Sequence, residues 1–220
     1  MNLASLILVV RSELDDTVSP YRWSDDELML YANIAETEAA RRARLLLDST
    51  TVALCQIALV AGIGSYALDP RIALIRRVRV VGQSRPLGRT TSRHLDATLA
   101  GWEDMTAATP GLFLTDSDSN RLRVIPPPVA DGLLQLTVQR DPLAAMNDPL
   151  DVPEIAGRYH HDLRHWMRYL AFSKRDEATY HPKLASEAAA DFTVRFGPAL
   201  DFQTEVWNAE NQPFDEFDGS

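Results

Sequence analysis

The chain has 220 residues, of which 45% are hydrophobic and 24% are charged, and its formal net charge at pH 7 is −9. These fractions are typical of globular proteins and argue against both a disordered chain and a membrane-spanning one. The acidic excess argues against a protein that coats DNA, because such binding needs Lys and Arg to neutralise phosphates. The single cysteine, Cys55, rules out an intrachain disulfide and a cysteine-based metal cluster.

The first residues predict a short buried helix. The run from Leu3 to Val10 is apolar, but no basic segment precedes it, and it continues into Arg11 and Glu13 without a cleavage site. It therefore does not fit a signal peptide, and it is shorter than the roughly 20 apolar residues that cross a bilayer. We expect a soluble protein made in a reducing cytoplasm.

A second helix is predicted to begin after Ser24 and to end near Asp48. Ser24 is followed three residues later by Glu27, which is the capping-box pattern of a helix N-terminus. Apolar residues then recur at helical spacing, and they are Leu28, Tyr31, Ala32, Ala35, Ala39, Ala43 and Leu46. Three basic residues, Arg41, Arg42 and Arg44, lie near the end of this helix.

The pattern changes at Ser49, and residues 49–152 predict an inserted antiparallel β-rich region. Short apolar runs are broken by Gly, Pro, Asp and Asn, as is typical of strands and turns. Strands are predicted over residues 52–60, 65–68, 72–81, 112–115, 122–125 and 134–138, with a short helix over 94–101. In the third strand we expect Arg77 and Arg79 on a solvated face opposite Val78.

Helices resume after Pro153. Apolar residues between Ile155 and Ala171 recur with the helical period, and Pro182 marks the first turn of a last helix that ends at Gly197. Residues 1–48 and 153–197 are therefore expected to form one helical bundle. Together with the inserted β-rich region and an extended C-terminal tail, this predicts an α+β fold.

The C-terminal tail, residues 198–220, has an unusual composition. It holds six Asp and Glu residues and no Lys or Arg, so it contributes −6 of the net −9. It also contains aromatic residues, for which a solvated acidic tail has little use. We interpret the tail as an extended segment that docks on another protein, through Phe202, Trp207, Phe214 and Phe217. The alternative is that the tail packs on its own domain.

No motif of the chain predicts a catalytic residue, a bound metal or a cofactor. His161 and His165 have the spacing that lets two imidazoles share a zinc ion, but a third ligand is not evident and no general base lies between them. A small zinc enzyme centred on these two residues is kept as an alternative function. Cys55 lies in an apolar run, which predicts a buried structural thiol.

The order of the motifs resembles that of a known family. The motifs are Trp23-Ser24-Asp25-Asp26-Glu27-Leu28, Tyr31-Ala32-Asn33, Ala61-Gly62, Tyr66-Ala67-Leu68, Trp102, Thr109-Pro110-Gly111, Arg121 to Pro128 and Pro153 to His161. In this order, over about residues 20–197, they resemble the head-to-tail adaptor, or head-completion, family of tailed bacteriophages. Two motifs depart mildly: Thr109-Pro110-Gly111 replaces a Gly-x-Pro turn, and Val152 replaces an isoleucine.

The resemblance implies a structural virion protein rather than an enzyme. Such a protein would form a ring of twelve copies at the head-tail junction, joining the portal protein to the tail nozzle, tube or stopper proteins. Double-stranded DNA would pass only as cargo, and no membrane would be involved. Within the ring, Arg41, Arg42 and Arg44 are candidate interface residues. Either this cluster or a second basic cluster, Arg76, Arg77 and Arg79, could pair with a neighbour's acidic tail. A tail-tube or stopper protein of the same virion is the alternative.

Overall fold

The computed structural model describes residues 1–176 and 179–199. Within these ranges the chain divides into two compact units, which we name the helical unit, residues 1–46 and 140–199, and the β unit, residues 47–139. The first part of the chain thus lies in the helical unit, the middle part forms the β unit, and the following part completes the helical unit. Helices and sheets are both present, so the predicted α+β class is confirmed.

The regular elements follow one another in this order: α1 (Leu3–Glu13), α2 (Asp25–Arg42), β1 (Leu47–Asp48), α3 (Val52–Cys55), β2 (Gln56–Leu59), β3 (Ser65–Ala67), β4 (Ile72–Val80), β5 (Gly88–Arg89), α4 (Ser92–Thr98), β6 (Leu112–Leu114), β7 (Arg121–Ile125), β8 (Gly132–Arg140), α5 (Leu163–Ser173) and α6 (Pro182–Phe196). Two short 3-10 helices, Trp102–Asp104 and Gly157–Asp162, precede β6 and α5. The last helix has the predicted bounds.

The start of α2 is the capping box that the sequence predicts. The Ser24 hydroxyl accepts the backbone N–H of Glu27 at 3.1 Å, and the Glu27 carboxylate accepts the backbone N–H of Ser24 at 3.1 Å. The predicted end of the helix near Asp48 is wrong. The helix ends at Arg42, Arg44 adopts a left-handed backbone with φ of +52°, and Asp48 already belongs to β1.

In the helical unit, α5 packs against both α2 and α6, and α1 packs against α2 and α5. The buried face of α2 is formed largely by alanines, whose small side chains let neighbouring helices approach closely. Leucine, methionine and phenylalanine fill the space from the other helices. Members of this core include Leu6, Val10, Leu28, Ala32, Ala35, Ala39, Leu163, Met167, Phe192 and Phe196. The predicted buried helix at the start of the chain is confirmed.

The β unit contains two four-stranded sheets. In the first sheet, β1, β2 and β4 all pair with β8, and Leu134, Leu136 and Val138 of β8 are fully buried at alternate positions, as predicted. In the second sheet the order is β3, β7, β6, β5. The pairing of β5 with β6 is parallel, which the antiparallel prediction missed. Parallel neighbours need a crossover connection, and here α4 and a 3-10 helix supply it.

The strand predicted over residues 52–60 is only partly present. Its first four residues form α3, and the strand β2 begins at Gln56. The cause is Asp48, whose carboxylate accepts the backbone N–H groups of Thr50 at 2.9 Å and Thr51 at 3.0 Å. Such a local side-chain bond competes with strand pairing and favours a turn.

Candidate assembly surfaces

The proposed docking residues of the tail, Phe202, Trp207, Phe214 and Phe217, lie outside the residues that the structure describes. Their role therefore stays a prediction from the sequence. The three arginines near the end of α2 lie within the described residues, and their environments differ from one another.

Arg41 forms a bidentate ion pair within the helical unit. Its guanidinium donates to both carboxylate oxygens of Asp141, at 2.8 and 2.6 Å, while its side chain is 45% exposed. This fork geometry is the strong form of an arginine-carboxylate contact. Arg44 is also exposed. Both residues can therefore be reached by another protein.

Arg42 has a different environment, because its side chain is only 7% exposed. Its guanidinium donates to Glu38 at 2.7 Å and lies over the ring of Trp166, 4.5 Å from the ring centroid. It also lies 5.2 Å from the centroid of Phe192. Arg42 thus joins α2 to α5 and α6, and a role between subunits would require these contacts to break.

The outer face of α2 carries two apolar side chains, which the sequence analysis did not single out. Leu30 and Ile34 are 55% and 38% exposed, and they lie one helical turn apart. The buried stripe of the same helix contains Leu28 and Ala32. Leu30 and Ile34 lie outside that buried stripe, on the part of the helix surface that usually carries polar residues. This position is the sequence signal that could have identified the pair.

The histidines near the start of α5 do not form a metal centre in the described part of the chain. His161 is exposed, whereas His165 is buried and its Nδ1 lies 3.7 Å from the carboxylate of Asp191. Burial lowers the pKa of His165, which favours the neutral imidazole. Residues 1–176 and 179–199 contain no group of three or more His, Cys, Asp or Glu side chains placed to hold a metal. The third ligand that the zinc alternative needs is not found there.

Cys55 is buried, as predicted, and its thiol lies 3.6 Å from the carboxylate of Asp48. Cys55 is the last residue of α3, so this contact holds the end of the short helix against Asp48. No helix within the described ranges combines the length and the apolar character needed to cross a bilayer.

A basic surface lies on the β unit. Residues 71–89 include six arginines and no Asp, Glu or Lys. We name this set the arginine ribbon, and its members are Arg71, Arg76, Arg77, Arg79, Arg85 and Arg89. The chain runs along β4, turns, and comes back beside it, because Leu87 donates its backbone N–H to the Val78 carbonyl at 2.8 Å. The guanidinium of Arg89 reaches the carbonyl of Ile75.

The members of the arginine ribbon have unequal partners. Arg71 pairs with Asp69 at 2.8 Å and lowers the pKa of that carboxyl to about 2, and Arg79 donates to the neutral amide of Gln135 at 3.0 Å. Arg76, Arg77 and Arg85 are exposed, and they form no ion pair with any residue in the described ranges.

From the sequence, Arg76, Arg77 and Arg79 of this surface are interpreted either as a solvated strand or as a basic cluster that meets an acidic partner. Val78 is buried and Arg77 exposed, as expected, but Arg76 is exposed as well. The burial of side chains along β4 does not alternate strictly. Leu74 and Ile75 are both buried, and Arg76 and Arg77, which follow them, are both exposed. The missed signal was the length of the segment without any acidic residue, which would have added Arg85 and Arg89 to the cluster.

Comparison with known proteins gives one family. A search among curated proteins found no match. The model of the family described as SU10 adaptor protein matches residues 1–212, which includes both units and more than half of the tail. The resemblance to phage adaptors is thereby confirmed, and with it a role as a phage adaptor, a structural component of the virion. The chain belongs to the SU10 adaptor protein family.

Proposed function

We propose that the chain is one subunit of a twelve-membered ring that joins the portal protein to the tail and lets DNA pass. The observation that carries this proposal is the match of the adaptor family model to residues 1–212. The match spans the helical unit, the β unit and part of the tail, so the whole described structure belongs to the adaptor.

The helical unit is the proposed wall of the ring. A ring closes when one surface of each subunit meets a different surface of the next. The exposed pair Leu30 and Ile34 on α2 gives such a contact an apolar centre. The exposed arginines Arg41 and Arg44 lie further along the same helix and beyond its end, where they would contribute to a polar rim.

The C-terminal tail is the proposed docking segment. Phe202, Trp207, Phe214 and Phe217 alternate with acidic residues, and buried aromatic anchors usually supply most of the energy in such contacts. The acidic balance of the chain as a whole suits a ring through which DNA moves, because acidic side chains do not hold phosphates.

The test measures the mass of the purified chain by light scattering, first alone and then with its portal protein. We expect the chain to join the portal as a ring of twelve copies. If the chain does not bind the portal protein but binds a tail-tube protein, the proposed place between portal and tail is contradicted, and the tail-tube or stopper alternative is favoured. Deletion of residues 198–220 should weaken the attachment of the ring to its partners, and unchanged attachment would contradict the docking role of the tail.

A further inference from the structure

The arginine ribbon carries positive charge that the described part of the β unit leaves unneutralised. Arg76, Arg77 and Arg85 are exposed and form no ion pair with a described residue, and Arg79 donates to the neutral amide of Gln135. An exposed surface of this kind attracts an anionic ligand. The net charge of the whole chain is nevertheless −9, so the chain itself contains a candidate for that ligand.

We propose that the arginine ribbon binds the acidic tail, residues 198–220, of a second copy of the chain. This inference rests on the proposed ring, since it names one contact between adjacent subunits. A head-to-tail ring needs two different and complementary surfaces on every subunit. The arginine ribbon and the tail are such a pair, because one has six arginines and no acidic residue and the other has six acidic residues and no basic residue.

The spacing of the charges supports the pairing. The acidic residues Asp215, Glu216 and Asp218 are separated by the same intervals as Arg76, Arg77 and Arg79. An extended chain rises about 3.3 Å per residue and places alternate side chains on one face, so an extended tail lying alongside β4 would bring Glu216 and Asp218 to Arg77 and Arg79, which have the same two-residue spacing. Arginine binds carboxylates through two parallel hydrogen bonds, which makes it well suited to this contact.

The surroundings of Arg85 favour an aromatic peptide over a DNA duplex. Arg85 lines an open cleft of about 530 Å³ together with Pro86, Leu87 and Pro110. Prolines and guanidinium planes both pack well against aromatic rings. Phe214 and Phe217 lie on either side of Asp215 and Glu216 in the tail. A duplex would offer phosphates to the arginines but no aromatic side chain to the cleft.

The arginines near the end of α2 are less suited to the tail. Arg41 already binds Asp141, and Arg42 binds Glu38 with little exposure. A neighbour's carboxylates would therefore have to displace existing carboxylates there. The proposed partner of the tail is accordingly the arginine ribbon and not this cluster.

A charge-swap experiment on the full-length chain tests the proposal. One variant carries R76E, R77E and R85E, and a second carries D215K, E216K and D218K. In each variant alone, the charges at the swapped positions of one segment have the same sign as the charges that they would meet on the other segment. When the two are mixed, the lysine tail of one meets the glutamate ribbon of the other. We expect the mass measured by light scattering at low ionic strength to rise at least twofold on mixing.

A matched control adds R22E, R158E and R175E, three exposed arginines of the helical unit, to the lysine-tail chain, so that no swapped tail in the mixture is complementary to a ribbon while the same number of arginines is reversed. Mixed with the lysine-tail variant, it should gain no comparable mass. An equal gain by the control, or no gain by the swapped pair, would overturn the proposal. A tail that binds the ribbon of its own chain also gives no gain, and so counts against a second copy. Thermal unfolding establishes that each variant is folded.

A binding measurement on a second variant distinguishes the tail from DNA as the ligand of the arginine ribbon. We expect R76Q, R77Q and R85Q together to weaken binding of a labelled synthetic peptide of residues 198–220 about tenfold, by fluorescence anisotropy. If these changes instead abolish binding of a short DNA duplex and leave the peptide bound, the ribbon is a DNA surface and the proposal fails. Neither assay contains portal protein, so a chain that fails here and still joins the portal keeps its adaptor role.

Discussion

The carboxylate of Glu36 on α2 accepts the backbone N–H of Ile155 at 3.2 Å. It also accepts the backbone N–H of Glu154, and the residue is 1% exposed. A side chain near the middle of α2 thus holds the segment that leads to α5, within the helical unit. Buried N–H groups need such acceptors, because leaving them unpaired costs free energy.

We predict that Glu36 makes the chain less stable as the pH rises. Burial raises the pKa of Glu36 above 4.5, so between 4.5 and the raised pKa the folded state binds more protons than the unfolded state. The free energy of unfolding therefore falls across that window. Glu36→Gln keeps an acceptor oxygen and should remove this pH dependence, whereas Glu36→Ala should cost about 2 kcal/mol. Urea unfolding at a series of pH values measures both, and an unchanged pH profile in Glu36→Gln would contradict the prediction.

We predict the opposite sign for Glu27 at the start of the same helix. Its hydrogen bond with Lys174 lowers the pKa of Glu27 below 4.5. The stabilising effect is therefore present above pH 4.5 and is lost as the pH falls through the lowered value. Both side chains are about one third exposed, so the effect should be small. Glu27→Gln keeps the capping box, and its unfolding free energy should approach that of the parent chain only at acidic pH.

Arg11 and Asp16 form a buried ion pair at 2.6 Å, with side chains 6% and 2% exposed. We predict that Arg11→Met costs about 3 kcal/mol, because the Asp16 carboxylate would stay buried without its cation. The backbone N–H of Arg22, which donates to Asp16 at 2.8 Å, keeps the loss at the low end of the usual range. Asp25→Asn is the control, since Asp25 also binds Arg11 but is 72% exposed, and it should cost at most about 1 kcal/mol. Equal losses by chemical denaturation would contradict this assignment.

Substitutions of the arginines near the end of α2 should distinguish side chains needed for ring assembly from a side chain needed for the stability of the fold. We predict that R41E with R44E reduces the amount of ring on the portal while changing the unfolding free energy by about 1 kcal/mol at most, because both side chains are exposed. Arg42→Ala should instead destabilise the folded chain by about 1–2 kcal/mol, because it removes the contacts with Glu38 and Trp166. Light scattering with portal and thermal unfolding measure the two effects. A normal ring from the double variant would contradict the interface role.

The features that the sequence predicted well depend on neighbours within a few residues. The capping box of Ser24 and Glu27, the alternation in β8 and the proline at the start of α6 all act over one or two turns or a single strand. Local preference and final structure agree at these places, as expected for a sequence that folds to one structure.

The features that the sequence missed depend on contacts between distant residues. The strand β1, which the sequence analysis did not predict, forms because Leu47 pairs with Gln139 of β8, a residue far away in the sequence. The burial of Arg42 needs Trp166 and Phe192, which only the folded helical unit brings to it. The exposure of Arg76 follows from the irregularity of β4, and hydrophobic spacing alone contains no information on that point.

The placement of the β unit between the two halves of the helical unit has a consequence for synthesis. The ribosome makes about 5–20 residues per second, so several seconds pass between the release of α2 and that of α5. During this interval Leu28 and Ala32 lack the α5 side of their core, whereas β1 to β8 are already complete. The β unit can therefore fold first, and the early helices must be kept from aggregating until the last third of the chain has emerged.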